Sequence, residues 1–174
     1  MANPEQIRNL RLQNAYKEMV NLQAQGNIIS WRILQGRVPL VEVYELTVRV
    51  RSIISTAPRY RDQHVIKITM PGDYPTSPPI VQMISSPQPF HPNWYENGTW
   101  CFGRWDMAES LGSYVCRMIQ TLQFDEDITN ADDPANREAG AWYKRYENSG
   151  LFPCDHQTLP DPTKEKKKKF DIRR

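Results

Sequence analysis

The sequence has few of the features that mark secreted, membrane-spanning or metal-binding proteins. Its 174 residues include three cysteines, an odd number without a CxxC pair, so neither a disulfide framework nor a zinc site is expected. The first residues, MANPE, lack a basic start followed by an apolar stretch, so no secretory signal is expected. No stretch offers the roughly 20 apolar residues of a membrane span. We therefore expect a cytoplasmic protein that contacts no membrane and holds no metal.

The net charge is small, but it is distributed unevenly along the chain. The total of +2 divides into a basic end, residues 164–174, with seven Lys or Arg against two Asp or Glu, and a body of net −3. Apolar residues make up 39% of the chain, enough for a folded core. We expect one domain over residues 1–150 and a C-terminal extension, residues 151–174, with a mobile lysine-rich tail. Because Phe170 is the one aromatic residue among these lysines, nucleic-acid binding is not expected.

The spacing of apolar residues predicts an α+β fold. A first helix is expected over residues 4–25, capped by Asn3 and stopped by Gly26. Alternating apolar residues then predict four successive strands in an antiparallel meander. An amphipathic helix over residues 111–122 and a second C-terminal helix over residues 134–146 complete the order. The four strands are predicted at residues 28–35, 46–51, 66–70 and 80–84.

Irregular segments are expected between these elements. Half of the 14 prolines lie in residues 71–92, where they remove hydrogen-bond donors and force extended or turn geometry. A long loop follows over residues 90–109, with Asn97-Gly98 as a tight-turn signal. Residues 125–133 form what we call the acidic loop. Loops of this kind, held by a rigid scaffold, often carry functional side chains.

Cys101 is the strongest nucleophile candidate, although a lone cysteine in a loop commonly has no catalytic role. Cys116 lies within the predicted amphipathic helix, where a small half-buried residue is the ordinary interpretation. Cys154 lies in the C-terminal extension, without a neighbouring motif. A cysteine hydrolase would need His91 as its base, but a histidine before a proline in a predicted turn favours packing within the loop. A hydrolase therefore stays the weaker interpretation.

The sequence contains PGDYPTSPP at 71–79, HPN at 91–93 followed by Cys101, and DDP at 132–134. In this order and at these distances, the three motifs resemble those of ubiquitin-conjugating enzymes. Residues 71–79, PGDYPTSPP, resemble the proline-rich segment of that family. The tripeptide HPN at 91–93, with Cys101 ten residues after the histidine, resembles its active-site signature. The tripeptide DDP at 132–134 resembles its acidic turn after the second helix. The resemblance covers roughly residues 5–148 and identifies the chain as a divergent member, with the family's α+β fold as the expected architecture.

The resemblance implies a role for each residue of the signature. Cys101 corresponds to the thiol that accepts the C-terminus of a ubiquitin-like modifier as a thioester. Asn93 corresponds to the asparagine whose side-chain amide steadies the oxyanion or braces the loop, two roles that do not exclude each other. His91 and Pro92 are interpreted as structural residues of the loop. No cofactor is implied, because ATP is used by the upstream activating enzyme.

Two further residues are implied to lie near the incoming amine. Asp133 corresponds to a family position beside the acceptor lysine, although an aspartate before a proline is also an ordinary helix N-cap. Tyr95 corresponds to a tyrosine that the SUMO-conjugating branch places at the acceptor. A cationic acceptor is also favoured by the carboxylates that surround this position, namely Asp125, Glu126, Asp127, Asp132 and Asp133.

The implied partners are a ubiquitin-like modifier, an activating enzyme and the lysine of a target protein. The first helix is where the family meets its activating enzyme, and Arg8, Arg11 and Lys17 are candidates for that contact. The need for a ligase stays open, because Thr76 replaces an aromatic residue that contacts ligases in many members. A second open alternative is an inactive variant that binds modifiers without forming a thioester.

Departures from the family pattern concentrate around the cysteine. Trp94 and Trp100 stand where smaller aliphatic residues are usual, and Trp105 partly replaces a tryptophan-serine-proline element. A divergent member of this kind fits a bacterial conjugation operon or a minor eukaryotic branch.

Overall fold

The computed structural model describes residues 2–165, and the order of their elements confirms the predicted α+β fold. Helix α1 spans Pro4–Ala24, α2 spans Leu111–Leu122 and α3 spans Arg137–Tyr146. Strands lie between α1 and α2, and the prediction of an antiparallel four-stranded meander is confirmed. The strands are β1 (Ile29–Arg37), β2 (Leu40–Val48), β3 (Ser52–Ser55), β4 (Arg59–Arg61), β5 (His64–Thr69) and β6 (Ile80–Met83).

Helix α1 begins at the capping signal that the sequence contains. The side chain of Asn3 accepts a hydrogen bond from Gln6 N at 2.9 Å, and the Gln6 side chain accepts one from Asn3 N at 3.0 Å. This reciprocal pair satisfies two donors that a helix start otherwise leaves free. The helix packs on β1, β2 and α2. No helix within residues 2–165, α1 included, is long and apolar enough to cross a membrane.

The four-stranded sheet has the order β1-β2-β5-β6, but one predicted boundary is wrong. The second strand runs over Leu40–Val48, not over residues 46–51. Val43 and Tyr44 are both buried, so the alternation changes phase between them. Register shifts next to Gln35 of the neighbouring strand accompany this change. A bulge shifts the side chains that follow it to the opposite face of the sheet. The alternation of apolar residues at one end of β2 therefore does not continue to the other end of the strand.

A small hairpin, β3-β4, was not predicted from the sequence. Its strands are short, and they carry arginine or serine at most positions, so they show no run of alternating apolar residues. Ile53 of β3 is fully buried in a second hydrophobic cluster together with Phe124, Tyr143 and Phe152. The hairpin therefore connects the sheet to α3 and to the segment that follows it.

Residues 151–165, which we call the C-terminal strap, lie against the helices. The amide of Cys154 donates to the Gln123 carbonyl at 2.8 Å, just beyond the end of α2. The side-chain amide of Asn21 on α1 donates to the Pro162 carbonyl at 2.9 Å. The domain boundary predicted at residue 150 thus precedes a segment bound to α1 and α2. The tail predicted to be mobile lies, from residue 166 onward, outside the described residues.

Candidate active site

The cysteine loop, which we define as residues 91–103, folds back on itself like a small hairpin. The chain turns at Gly98, whose φ of +94° favours glycine over other residues. The turn brings Cys101 beside Asn93, whose carbonyl accepts a hydrogen bond from the Cys101 amide at 2.8 Å. Two residues of the sequence signature, eight positions apart, therefore share the base of one hairpin.

Two tryptophans of the cysteine loop point into the core. Trp94 and Trp100 pair across an isolated antiparallel bridge, and they are 0% and 2% exposed. The ring of Trp100 lies 5.0 Å from that of Tyr114 on α2, measured between centroids. Because neighbouring side chains of an extended segment face opposite ways, Tyr95 faces outward and is 42% exposed. These tryptophans, which depart from the family pattern, are packing residues under the loop.

Cys101 is half-buried at the surface of this packed loop, next to Tyr95, whose hydroxyl the carboxylate of Asp133 also influences. The pKa of the Tyr95 hydroxyl is raised, chiefly because negative charge on the Cys101 sulfur disfavours a phenolate beside it. Burial and the carboxylate of Asp133 add smaller effects. The structure thus brings together a thiol, a phenol and a carboxylate, which the sequence separates by up to 38 positions.

Asn93 connects the cysteine loop to the acidic loop. Its side-chain Oδ1 accepts a hydrogen bond from the backbone amide of Asn130 at 2.9 Å. Next to it, the Pro92 carbonyl accepts one from Ala135 N at 2.7 Å. Within residues 2–165, the Nδ2 group of Asn93 makes no hydrogen bond, so it is free to donate to another group. Asn93 can therefore brace the loop with one atom and offer a donor with the other.

His91 lies inside the fold and is fully buried. Its Nδ1 accepts a hydrogen bond from Asn93 N at 2.8 Å, and its ring lies 4.1 Å from that of Phe124. Burial lowers the pKa of His91 to about 3, and the nearby Thr121 backbone offsets this only in part. A neutral ring whose Nδ1 is committed to the backbone is suited to packing. No hydrogen bond within the described chain joins His91 to Cys101.

Asp133 is exposed and does not cap the helix that follows it. Helix α3 begins at Arg137, three residues later than predicted, and Asn136 is its N-cap, with its side chain accepting from Ala139 N at 3.0 Å. Asn136, and not Asp133, is therefore the N-cap of α3. The neighbouring Asp132 pairs with Lys144 of α3 at 3.2 Å, whereas Asp133 is the carboxylate of this turn that influences Tyr95 beside the thiol.

The other two cysteines are held within the fold. Both are half-buried, and burial raises the pKa of Cys116 to about 11 and that of Cys154 to about 12. The Cys116 thiol donates to the Pro160 carbonyl at 3.5 Å, and the Cys154 thiol to the Arg51 carbonyl at 3.1 Å. Because a thiol with a raised pKa is a poor nucleophile at neutral pH, neither competes with Cys101.

The three basic residues of α1 that were candidates for a partner contact differ in their surroundings. Arg8 donates to the carbonyls of Met70 and Pro71 at 3.3 and 3.0 Å, and pairs with Glu42 at 3.2 Å. Arg11 likewise donates to backbone carbonyls of the loop before α2. Lys17 is exposed. Two of the three side chains therefore bind within the fold.

Residues that the sequence motifs did not indicate also hold the loop. Asn130 binds Asn93 through its backbone, which no side-chain pattern reveals. Arg117 of α2 contacts both sequence neighbours of Cys101 and pairs with Glu109. One signal was available for Arg117, because it is the one charged residue of a 12-residue helix. A single charge on a half-buried helix predicts a partner for it.

Comparison with known proteins finds the same family that the motifs indicate. A family model described as "Ubiquitin-conjugating enzyme" matches residues 42–150, well over half of the chain. "Ubiquitin-conjugating enzyme E2 2" of Mycosarcoma maydis is 35% identical over 81 residues, 44% of this chain and 40% of that protein. "Ubiquitin-conjugating enzyme E2 3" of Arabidopsis thaliana is 39% identical over 71 residues, 38% of this chain and 43% of that protein.

A protein of Trichoderma harzianum, also named "Ubiquitin-conjugating enzyme E2 2", is 41% identical over 75 residues, 41% of this chain and 46% of that protein. The matched segments therefore span less than half the length of each of these relatives. The family model covers the sheet from β2 onward, the cysteine loop, α2 and α3. On this match, and on the sequence signature around Cys101, the chain belongs to the ubiquitin-conjugating enzyme family.

Proposed function

We propose that this chain accepts the C-terminus of a ubiquitin-like modifier on Cys101 as a thioester and transfers it to an amine, ordinarily a target lysine. The observation that carries the proposal is the position of the half-exposed thiol, on a loop packed from below and next to Tyr95, which in turn lies within electrostatic reach of Asp133. A thioester suits such a step because its acyl carbon stays activated toward attack by an amine.

Two exchanges at the same acyl carbon make up the reaction. In the first, the Cys101 thiol gives up its proton and its sulfur bonds to the modifier's C-terminal carbonyl carbon, while the bond from that carbon to the activating enzyme's group breaks and the leaving group takes up a proton. In the second, the amine nitrogen bonds to that carbon, the carbon–sulfur bond breaks, and the proton that the amine loses is balanced by the one that the Cys101 thiolate takes up. Each exchange passes through an oxyanion, which the free Nδ2 group of Asn93 can stabilise as a donor that does not itself take a proton.

The second exchange needs a neutral amine, and the surface beside Cys101 can help to supply it. A free lysine has a pKa of about 10.4, so at pH 7 only about one amine in a few thousand is nucleophilic. Asp133 can accept a hydrogen bond from the amine and orient it, while the Tyr95 ring shields it from water. An open cleft of about 350 Å³ next to Tyr95, lined also by Glu96 and Glu138, leaves room for the target chain.

The activating enzyme is proposed to bind α1. Lys17 is the basic residue of the three candidates that is exposed there. Arg8 and Arg11 contribute to such an interface by fixing the position of the helix.

Incubation with an activating enzyme, a modifier and ATP tests the proposal. We expect a modifier-sized band shift that a thiol reductant reverses, and an oxyester that resists the reductant for Cys101→Ser. Cys116→Ser and Cys154→Ser are matched controls, because their half-buried thiols bind backbone carbonyls, and both should still form the reversible adduct. A panel of ubiquitin and several ubiquitin-like proteins, each with its own activating enzyme, covers the choice of modifier.

The outcomes separate the alternatives. Non-covalent binding of a modifier without any adduct would support an inactive adaptor in place of the proposed enzyme. Release of a free modifier from a modifier–lysine conjugate would support a cysteine hydrolase, although the buried His91 offers that reaction no base. An adduct that persists in Cys101→Ala would place the acyl group on a different residue and overturn the assignment of Cys101.

A further inference from the structure

Helix α2 carries one charged residue, and that residue reaches the cysteine loop. Apart from Arg117, the sequence of α2, LGSYVCRMIQTL, is uncharged, and most of the helix is buried. Arg117 is 26% exposed in its side chain, and its partner Glu109 is 16% exposed. Removing two charges from water costs free energy, which is compensated only if the two groups are close and well hydrogen-bonded.

The ion pair has bidentate geometry. Nη2 of Arg117 lies 2.8 Å from Oε1 of Glu109, and Nε lies 3.1 Å from Oε2. Two parallel N–H···O bonds fix the plane of the guanidinium as well as its distance. The remaining nitrogen, Nη1, donates to the backbone carbonyl of Phe102, the residue directly after Cys101.

The same guanidinium also lies over two aromatic rings. Its carbon is 5.1 Å from the centre of the Trp100 ring and 5.5 Å from that of Tyr114. A cation within about 6 Å of an aromatic face is attracted to it, and arginine keeps its hydrogen bonds while it stacks. Arg117 therefore holds the residue before Cys101 through a cation–π contact and the residue after it through a hydrogen bond.

Glu109 is itself fixed from the other side. Arg11 of α1 donates to the Glu109 backbone carbonyl at 3.0 Å and to the Met107 carbonyl at 2.7 Å. The carboxylate that orients Arg117 thus belongs to a segment bound to α1. A continuous set of contacts runs from α1 through Glu109 and Arg117 to both neighbours of the thiol.

We propose that Arg117 is a positioning residue, which acts through Trp100 and Phe102 to hold the Cys101 thiol in the orientation that transfer requires. The proposal rests on the proposed function, since it concerns the same thiol. A reacting group that is misplaced by about 1 Å can lose on the order of 100-fold in rate, so a clamp on both sides of the nucleophile has kinetic consequences. The large Trp100 side chain then has a second role, because it supplies the aromatic face on which the clamp is built.

Four variants test the clamp. Arg117→Met keeps an unbranched stem and removes every polar contact, whereas Arg117→Lys keeps the charge and loses the bidentate fork. Glu109→Gln keeps the shape of the partner without its charge. Arg61→Met is the matched control, because Arg61 is also a half-buried arginine that donates to a loop carbonyl, that of Pro87, at 2.5 Å.

Two readouts need no modifier and therefore separate this proposal from the proposed function. One is hydrogen exchange of the Cys101 amide, which bonds to the Asn93 carbonyl. The other is the alkylation rate of Cys101 against pH, followed by mass spectrometry of its peptide. For Arg117→Met we expect the exchange rate of the Cys101 amide to rise about tenfold, because the loop opens locally more often. We also expect the pH profile of the Cys101 alkylation rate to shift. Arg117→Lys and Glu109→Gln should lie between Arg117→Met and wild type, and Arg61→Met should match wild type.

A third readout is the rate at which the thioester is discharged to free lysine. It is measured for each variant and corrected for the folded fraction. We expect Arg117→Met to slow it about tenfold, with partial rescue in Arg117→Lys. The proposal is overturned if Arg117→Met lowers the melting temperature while Cys101 exchange, alkylation and discharge stay at the wild-type values. If wild type carries no modifier, the proposed function fails, and exchange and alkylation still decide whether Arg117 positions the thiol.

Discussion

The Cys101 thiol lies between two groups of residues that differ sharply in burial. Beneath it are His91, Trp94 and Trp100, which we call the floor and which are at most 2% exposed. Beside it is the exposed Tyr95, which together with the exposed Asp133 forms the group that we call the rim. The floor is held by ring packing, and the rim has few contacts within the described residues. From this difference in burial we propose a division of labour, in which the floor maintains the shape of the loop and the rim meets the acceptor of the proposed transfer.

The largest effect is expected from a substitution in the floor. Trp100→Ala removes a buried ring that packs on Tyr114 and Arg117, so we expect a loss of about 3–5 kcal/mol in the free energy of unfolding. Urea denaturation at pH 7 measures it. Tyr95→Ala is the matched aromatic truncation in the rim, and it should change stability by no more than about 0.5 kcal/mol. Equal losses for the two variants would contradict the division between floor and rim.

A pH-dependent effect is expected from the histidine of the floor. Burial lowers the pKa of His91 to about 3 and that of His64 to about 4, both below the ordinary value of about 6.5. On acidification, the unfolded chain therefore takes up these protons at a higher pH than the folded chain does. The contribution of the two histidines to the free energy of unfolding is at its full value above about pH 6.5 and falls as the pH drops toward 3. Each histidine contributes at most about 1.4 kcal/mol per pH unit to this slope.

His91→Asn tests that assignment. The asparagine Oδ1 can replace Nδ1 as acceptor for Asn93 N, while the titrating group is lost. We expect the slope of unfolding free energy against pH, between pH 6.5 and 4, to decrease by up to about 1.4 kcal/mol per pH unit. Above about pH 5, where few carboxylates titrate, the slope that remains should belong to His64, which is bonded to the Val50 carbonyl at 2.9 Å. An unchanged slope would mean that His91 does not titrate from a buried site.

The same division explains how much could be predicted from the sequence. Residues 111–122 were predicted as a helix with the bounds that the structure has, because their apolar spacing and their burial have one cause. The β3-β4 hairpin was missed because three- and four-residue strands are too short to show a period. Among the residues of the candidate site, the motifs indicated Cys101 and its loop neighbours. Which of these side chains are buried could not be deduced from the motifs.

Contacts between distant segments were the part that no local pattern revealed. Asn130 binds Asn93 across 37 positions through a backbone group, and every residue type except proline has that group. Arg8 and Arg11 were candidates for a partner because the family meets its activating enzyme through the first helix, and a charged helix face is ordinarily exposed. The structure covers that face with the backbone carbonyls of other loops, whose positions depend on the whole fold.

Asn93 lies between floor and rim, and its two amide atoms can be tested separately. Asn93→Ala loses the hydrogen bond to Asn130 N, so we expect a loss of about 1 kcal/mol in stability. Asn93→Asp keeps an acceptor for that bond and replaces the donor with a negative charge. We expect its stability to change by no more than about 0.5 kcal/mol.

Thioester discharge distinguishes the two variants of Asn93 further. Because an oxyanion donor is worth about 100- to 1000-fold in rate, both variants should discharge slowly, although only Asn93→Ala is destabilised. Single-turnover discharge to lysine, corrected for the folded fraction, is the measurement. Normal discharge by Asn93→Asp would assign Asn93 to bracing alone.

The smallest effect on stability is expected from the rim. Asn136, not Asp133, caps α3, so Asp133→Ala should leave the free energy of unfolding within about 0.5 kcal/mol of wild type. Asn136→Ala is the control, and the lost cap should lower stability by about 1 kcal/mol. Charging of Cys101 should be normal in both variants, because the modifier's acyl group carries no amine for Asp133 to orient.

Discharge to free lysine separates Asp133 from the cap. At pH 7 we expect Asp133→Ala to transfer roughly tenfold more slowly than wild type, since the amine loses an acceptor that orients it. The difference should shrink as the pH approaches 10, where about a third of the free lysine is already neutral. If the defect instead stays constant with pH, Asp133 acts on the shape of the loop and belongs with the floor. A defect shared by Asn136→Ala would likewise move the effect from the rim to the helix start.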